Sequence, residues 1–137
     1  ALPVSIHSRG SWQRCLELLK DSRVKKAVFH WYSGPLDILR EILVRGFFIS
    51  ATPALRYSPQ HQEAIKTAPI ERIFLETDTP VFYGEKEGAC LPARQGFRAE
   101  PKDVFKTLEL VARLKNIPPE KVAQITTTGA KQFFNLE

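Results

Sequence analysis

Four times along this chain a short apolar run gives way to a stretch with helical periodicity, and that alternation constrains the fold more than any other feature. "LPVSIH" is a β-branched run; after Ser11, apolar Trp12, Cys15, Leu16 and Leu19 recur at the i, i+3, i+4, i+7 spacing of a helix with one buried face. "KAVFH" reads as a second buried strand. Gly34-Pro35 then opens a helix, with Pro in the first turn where it is tolerated, and Leu36, Leu39, Ile42 and Leu43 form its inner face. Gly46 falls just past the end of that helix. "FFIS" is the third strand, and Ser58-Pro59 starts a shorter helix that runs to about Ala68 and stops at Pro69. "ERIFLETD", Glu71 to Asp78, is the fourth strand.

A long loop follows from Val81 to about Ala99, carrying Gly84, Gly88, Pro92 and Gly96; loops of that length in compact domains are usually functional or mobile. Pro101 begins a long helix with Val104, Leu108, Val111 and Leu114 inward. Pro118-Pro119 punctuates it, one helix holds Val122 and Ile125, and a last turn holds Ala130, Phe133 and Phe134. Repeated strand–helix units imply parallel pairing through right-handed crossovers, and near-continuous apolar strands imply a sheet covered on both faces. Two architectures satisfy this: an open doubly wound sheet, or part of a (β/α)8 barrel.

The length of 137 residues suits a single domain, residues 1–137. No apolar run reaches the roughly 20 residues a membrane helix needs, and the opening "ALPVSIHSRG" does not read as a signal peptide. Two cysteines argue against a disulfide scaffold: Cys15, in the apolar stripe of the first helix, is expected in the core, and Cys90, in the long loop, as a free thiol, which suits a cytoplasmic protein. The net charge of +5 would help the chain approach a polyanion, although a solvated basic surface explains it equally. The sequence contains no Met, so Ala1 fits either removal of an initiator or a cut from a longer chain.

Three of the four strands end on residues of metal-ligand type: His7, His30 and Asp78. Side chains at the carboxyl ends of parallel strands converge on the active site in such folds. Imidazole and carboxylate together suit a divalent ion such as Zn²⁺ or Mn²⁺. Strand parity puts Ser5 beneath His7, Val28 beneath His30 and Glu76 beneath Asp78. Glu76 is thus placed to accept an imidazole proton and fix a ligand's orientation, or else to form a buried ion pair. The remaining histidine, His61, is expected on the surface of the short helix. Two imidazoles and one carboxylate suffice for a three-ligand site, but a two-metal site needs more.

The motifs "PVSIHSR", "FHWYSG", "GFFISATP", "IERIFLETDTP", "FRAEP" and "ITTTGAKQFF" occur in an order and spacing that resembles the TatD family of metal-dependent deoxyribonucleases, TIM-barrel hydrolases. The resemblance runs through nearly the whole chain but covers only the family's C-terminal half. It implies that His7 and His30 hold one metal ion (Zn, Mn or Mg) and that Asp78 binds the other and orients or activates water. It also implies that Arg9, Ser33, Arg98 and Glu100 border the substrate cleft, where an arginine can meet a phosphate bidentately. The expected reaction is hydrolysis of DNA or another phosphoester by metal-activated water. The family's opening His-x-His and its bridging Glu have no match in this sequence, and "FRAEP" has Ala99 where Asn is common.

Four parallel strands cannot close a barrel, and open apolar edges must be covered. A missing N-terminal half could cover them, or a two-fold homodimer supplying eight strands and two copies of His7, His30 and Asp78. So could a rearranged monomer capped by its own loop and final helices. Function divides likewise between a TatD-like hydrolase and a non-catalytic half barrel, an assembly module with an inherited but incomplete metal site. A related lactonase or amidohydrolase is a third reading.

Overall fold

The computed structural model describes residues 2–84 and 96–137; Gly88, Cys90 and Pro92 lie outside these. Strands β1 (Val4–His7), β2 (Ala27–His30), β3 (Phe48–Ala51) and β4 (Ile73–Leu75) form one parallel sheet in sequential order. Helices α1 (Trp12–Lys20), α2 (Leu36–Val44) and α3 (Pro59–Thr67) link them. A sequential order decides between the two expected architectures. A doubly wound sheet reverses its strand order at a switch point, whereas a barrel wall adds each strand on the same side. The chain is therefore half of a barrel wall. No described helix is long and apolar enough to cross a membrane.

The two faces of the sheet are covered differently. Outward-facing Ala27, Phe29, Ile49, Ala51 and Ile73 join Leu16 of α1, Leu39 and Ile42 of α2 and Ile65 of α3 in the main core. Val111 and Ala112 of α4 (Val104–Lys115) and Val122 of α5 (Pro119–Phe134) complete it. The inner face carries a small cluster of Val28, Phe48 and Phe74 under Phe133 and Ala130 of α5. Phe48 and Phe74 stack at 4.6 Å between ring centroids, and Phe133 meets both edge-on at 5.0 and 5.1 Å. Lys26 anchors the end of α5, donating to the carbonyls of Gln132 and Phe133 (3.2 and 2.9 Å) and to Asn135 Oδ1 (3.2 Å). That clasp satisfies carbonyls that a helix end leaves without intrahelical partners.

Several local expectations change. β4 ends at Leu75, although Glu76 N–H still donates to Ala51 O (3.0 Å), and a 3-10 turn at Ile70–Arg72 precedes it. The expected last turn at Ala130–Phe134 is continuous with the helix before it, making α5 16 residues long. Gly129 does not interrupt it despite a cost of about 1 kcal/mol relative to Ala, and Val122 before it and Phe133 after it are buried. The long loop contains a two-residue hairpin pair, β5 (Phe82–Tyr83) and β6 (Phe97–Arg98), antiparallel and apart from the main sheet. Pro35 caps α2 rather than entering its first turn. Gly46 lies just past that helix at φ +77°, a conformation that favours glycine.

Candidate metal centre

His7 and His30 end adjacent strands and are register partners, so the parallel pairing itself sets the imidazoles side by side, 5.6 Å between ring centroids. Position and chemistry meet most tightly one step along the sheet. His30 Nδ1 lies 2.7 Å from Glu76 Oε1. The same carboxylate oxygen accepts from Ser50 Oγ and from the N–H of Trp31 (3.3 Å), and Trp31 N–H also donates to Ser50 Oγ (2.9 Å). Glu76 is thereby committed on one oxygen to holding the imidazole and the turn after β2. Burial pushes its carboxyl up, but the hydrogen bonds from His30, Ser50 and Trp31 outweigh this and hold it below the usual range.

With Nδ1–H given to Glu76, the other nitrogen of His30 is the one left to act. Nε2 faces Asp78 Oδ2 at 3.5 Å. At that separation a proton or a cation between the two acceptor atoms would turn their repulsion into attraction. The hydrogen bond to Glu76 raises the His30 pKa against the opposing effect of burial, with the Glu76 and Asp78 charges adding to it, so a proton can serve. The spacing also suits an ion: ligand atoms about 2.0–2.1 Å from a tetrahedral centre are roughly 3.4 Å apart. His30, Glu76 and Asp78 offer ligand atoms that all lie within 4.8 Å of one another.

Asp78 reaches His30 by a route that strand parity does not describe. Its φ is +48°, beyond the end of β4, so it stands on a turn and not one layer above Glu76 on a strand. Asp tolerates this left-handed conformation better than most residues. The turn is braced from two sides: Thr107 Oγ1 of α4 donates to Glu76 O (3.0 Å), and Tyr83 OH of β5 donates to Thr77 O (2.9 Å).

Among the expected cleft residues, Arg9 and Ser33 line one cavity of about 180 Å³ with His7 and His30. Arg98 and Glu100 are not part of its lining. Arg98 is exposed on β6 opposite Phe82, and Glu100 pairs with Lys102 while its N–H donates to Asp103 Oδ2 (2.8 Å) at the start of α4. Ala99 is buried and works through its backbone, with its N–H to Val81 O (2.8 Å) and its carbonyl accepting from Thr79 Oγ1 (2.6 Å).

His61 is the clearest correction. Expected at the surface, it is fully buried. Nδ1–H reaches Tyr32 O (2.7 Å) and Nε2 accepts from Thr52 N–H (3.1 Å), tying the segment after β2 to the segment after β3. Burial pushes its pKa down to about 4, so it works as a neutral bridge. The signal was present in the spacing of His61, Ala64 and Ile65, the buried stripe of α3, continued by Ala68 at its end. Trp31 was also missed. It follows His30 at φ +45°, rare for a bulky residue, with its backbone N–H locked by Ser50 and Glu76.

Residues 1–135 match the family described as TatD related DNase. The chain belongs to the TatD family. It is 33% identical over 130 residues to a putative deoxyribonuclease, tatdn3-B, of Xenopus laevis, covering 95% of this chain and 47% of that protein. It is 32% identical over 133 residues to the human deoxyribonuclease TATDN3, covering 97% and 45%. A solved TatD homologue from Escherichia coli superposes with a TM-score of 0.79 at 25% identity, covering 99% of this chain and 51% of that one. A TatD family hydrolase from Entamoeba histolytica shares the fold, also at 0.79, with 22% identity and coverage of 97% and 50%. This TatD chain spans about half the length of the relatives it matches, in agreement with a half barrel.

Proposed function

We propose that this TatD chain carries the C-terminal half of a metal-dependent phosphodiesterase centre acting on DNA or another phosphoester. The observation that supports it most directly is the pairing of a Glu76-oriented His30 with Asp78 at 3.5 Å. His30 Nε2 and Asp78 would hold a divalent ion (Zn, Mn or Mg), with His7 beside them. Such an ion, when bound, supplies a water of lowered pKa and neutralises charge on phosphoryl oxygens. Glu76 keeps the His30 tautomer that presents Nε2 outward. Asp78 accepts the proton of the attacking water, Arg9 holds a phosphate oxygen pair, and Ser33 donates to the same group. Arg98, farther out on β6, would meet the substrate beyond the scissile bond, with Glu100 fixing the segment that carries it. Deoxyribonucleases among the relatives make DNA the first substrate to try.

The parent site is incomplete here, since no His-x-His or bridging Glu is matched. We take residues 1–137 as one half-barrel domain whose β1 and β4 outer edges have no strand partner among the described residues, with Ser5 and His7 exposed on the inner face of β1. A second half of a barrel, or a second copy of this chain related by a two-fold axis, would cover those edges. A half-buried free Cys15 is compatible with the cytoplasmic placement we infer. The test combines metal analysis of the purified chain with cleavage assays in Mg²⁺, Mn²⁺ and Zn²⁺ against an Asp78→Ala control. Asp78-dependent cleavage supports the hydrolase. Absence of both metal and cleavage leaves the assembly-module reading, and light scattering that finds only monomer removes the homodimer.

A further inference from the structure

Trp31 and Tyr57 are the two aromatic side chains in the lining of the cavity that also contains His7, Arg9, His30 and Ser33. We propose that they form a subsite for one unpaired nucleobase beside the metal centre; this rests on the phosphodiesterase reading above. Trp31 is half-buried, near-perpendicular to the His30 ring at 6.4 Å between centroids and tilted 42° against Tyr83 at 5.4 Å. Tyr83 in turn leans on Phe97 at 5.7 Å, and Lys106 Nζ sits 3.6 Å from the Phe97 centroid. The Trp31 ring is thus backed by a packed aromatic row. Its backbone is held in a sparsely populated left-handed conformation by Ser50 and Glu76, the same pair that organises His30.

A backbone conformation that costs energy holds the Trp31 indole in the same cavity lining as His7, Arg9 and His30, where a ligand with a π-face could stack on it. Base–aromatic stacking is sequence-tolerant, because every base offers such a face. Tyr57, 41% exposed, supplies the second ring of the lining. The cavity of about 180 Å³ is lined by Trp31 and Tyr57 together with His7, Arg9 and His30, so both rings share one recess with the metal-ligand side chains. Arg9 in the same lining places a cation for the adjoining phosphate, so base and phosphate would be read together.

The test measures binding of end-labelled pentathymidylate, and of the same backbone with abasic sugars, by fluorescence anisotropy in Mn²⁺. The cleavage-blocked Asp78→Ala chain is used with and without Trp31→Leu or Trp31→Phe. The expected result is that removing the bases weakens binding roughly 5- to 150-fold, the span for one stacked base. Trp31→Leu should weaken pentathymidylate by a similar factor and leave the abasic strand unchanged, and Trp31→Phe should restore most of the loss. Equal affinity for the two strands, an equal loss on both with Trp31→Leu, or no binding of either strand would overturn the subsite. The hydrolase reading is judged separately with the unmutated chain. Cleavage of both strands at one rate removes the subsite and keeps the hydrolase; base-dependent binding without cleavage does the reverse.

Discussion

The outer and inner faces of the same four-stranded sheet have opposite characters. Outward residues such as Phe29 and Ile49 are fully buried under helices, and nothing polar interrupts them. The inner face is layered along the strands. Val28, Phe48 and Phe74 make an apolar floor closed by Phe133, while His7, His30, Ser50 and Glu76 make a polar mouth. Stability and chemistry are thus separated by face and by height, as expected for a barrel wall whose strand ends carry the site. The contrast teaches that mutations two residues apart on one strand should fail in different ways.

The largest effect is expected from the outer face. Phe29→Ala should cost about 3–5 kcal/mol, since the fully buried ring leaves a cavity. Against a typical total of about 5–15 kcal/mol, that brings the chain near unfolding, and a urea titration followed by circular dichroism reads it. An unchanged midpoint would show that the outer core is not what holds the sheet.

Next comes the pH dependence of the bridge between the mouth segments. The His61 pKa is lowered from 6.5 to about 4, mainly by burial; the Tyr32 carbonyl and Glu76 oppose this and His30 assists. A base whose folded pKa is depressed favours the fold above its unfolded value, so this stability is complete above about pH 6.5 and falls as pH drops towards 4. At 1.36 kcal/mol per unit the loss is about 3 kcal/mol over that window. A His61→Gln chain should lack this component of its acid sensitivity, and melting curves at a series of pH values would settle the point; parallel pH profiles for both chains would refute it.

Glu76→Gln should separate the two roles of the inner face. Removing the charge that orients His30 should weaken Zn²⁺ or Mn²⁺ affinity about 10- to 100-fold by titration calorimetry. Phe133→Ala, two layers down, should lower the melting temperature and leave that affinity within a factor of about 3, a difference of roughly 0.6 kcal/mol. Reversed outcomes would mean that floor and mouth are not separable. The smallest effect is expected far from both faces. The exposed Arg14–Glu17 pair at 3.4 Å is screened by water, so Arg14→Ala should leave the urea midpoint essentially in place.

The strand–helix order was legible because periodicity reports which side of each element is buried. The helices α1, α2 and α3 begin and end close to where Ser11, Gly34-Pro35, Gly46 and Ser58 place those boundaries. The histidines at the ends of β1 and β2 were legible for the same reason, because parallel strands in sequential units bring equivalent ends together. Their being register partners follows from pairing, which a linear pattern cannot specify.

Other features depended on long-range contacts. The turn that sends Asp78 to His30 is braced by Thr107, 29 positions on, and by Tyr83 of a hairpin whose two-residue strands are too short to leave a periodic signal. His61 lay on a readable stripe, but the partners that make its burial tolerable, Tyr32 O and Thr52 N–H, come from other elements. Local sequence thus determined the units of this protein, because backbone propensity and apolar spacing act over a few residues. Only the tertiary structure decided the site, because a hydrogen-bonded cluster of His30, Ser50, Glu76 and Asp78 exists only once three strands are side by side.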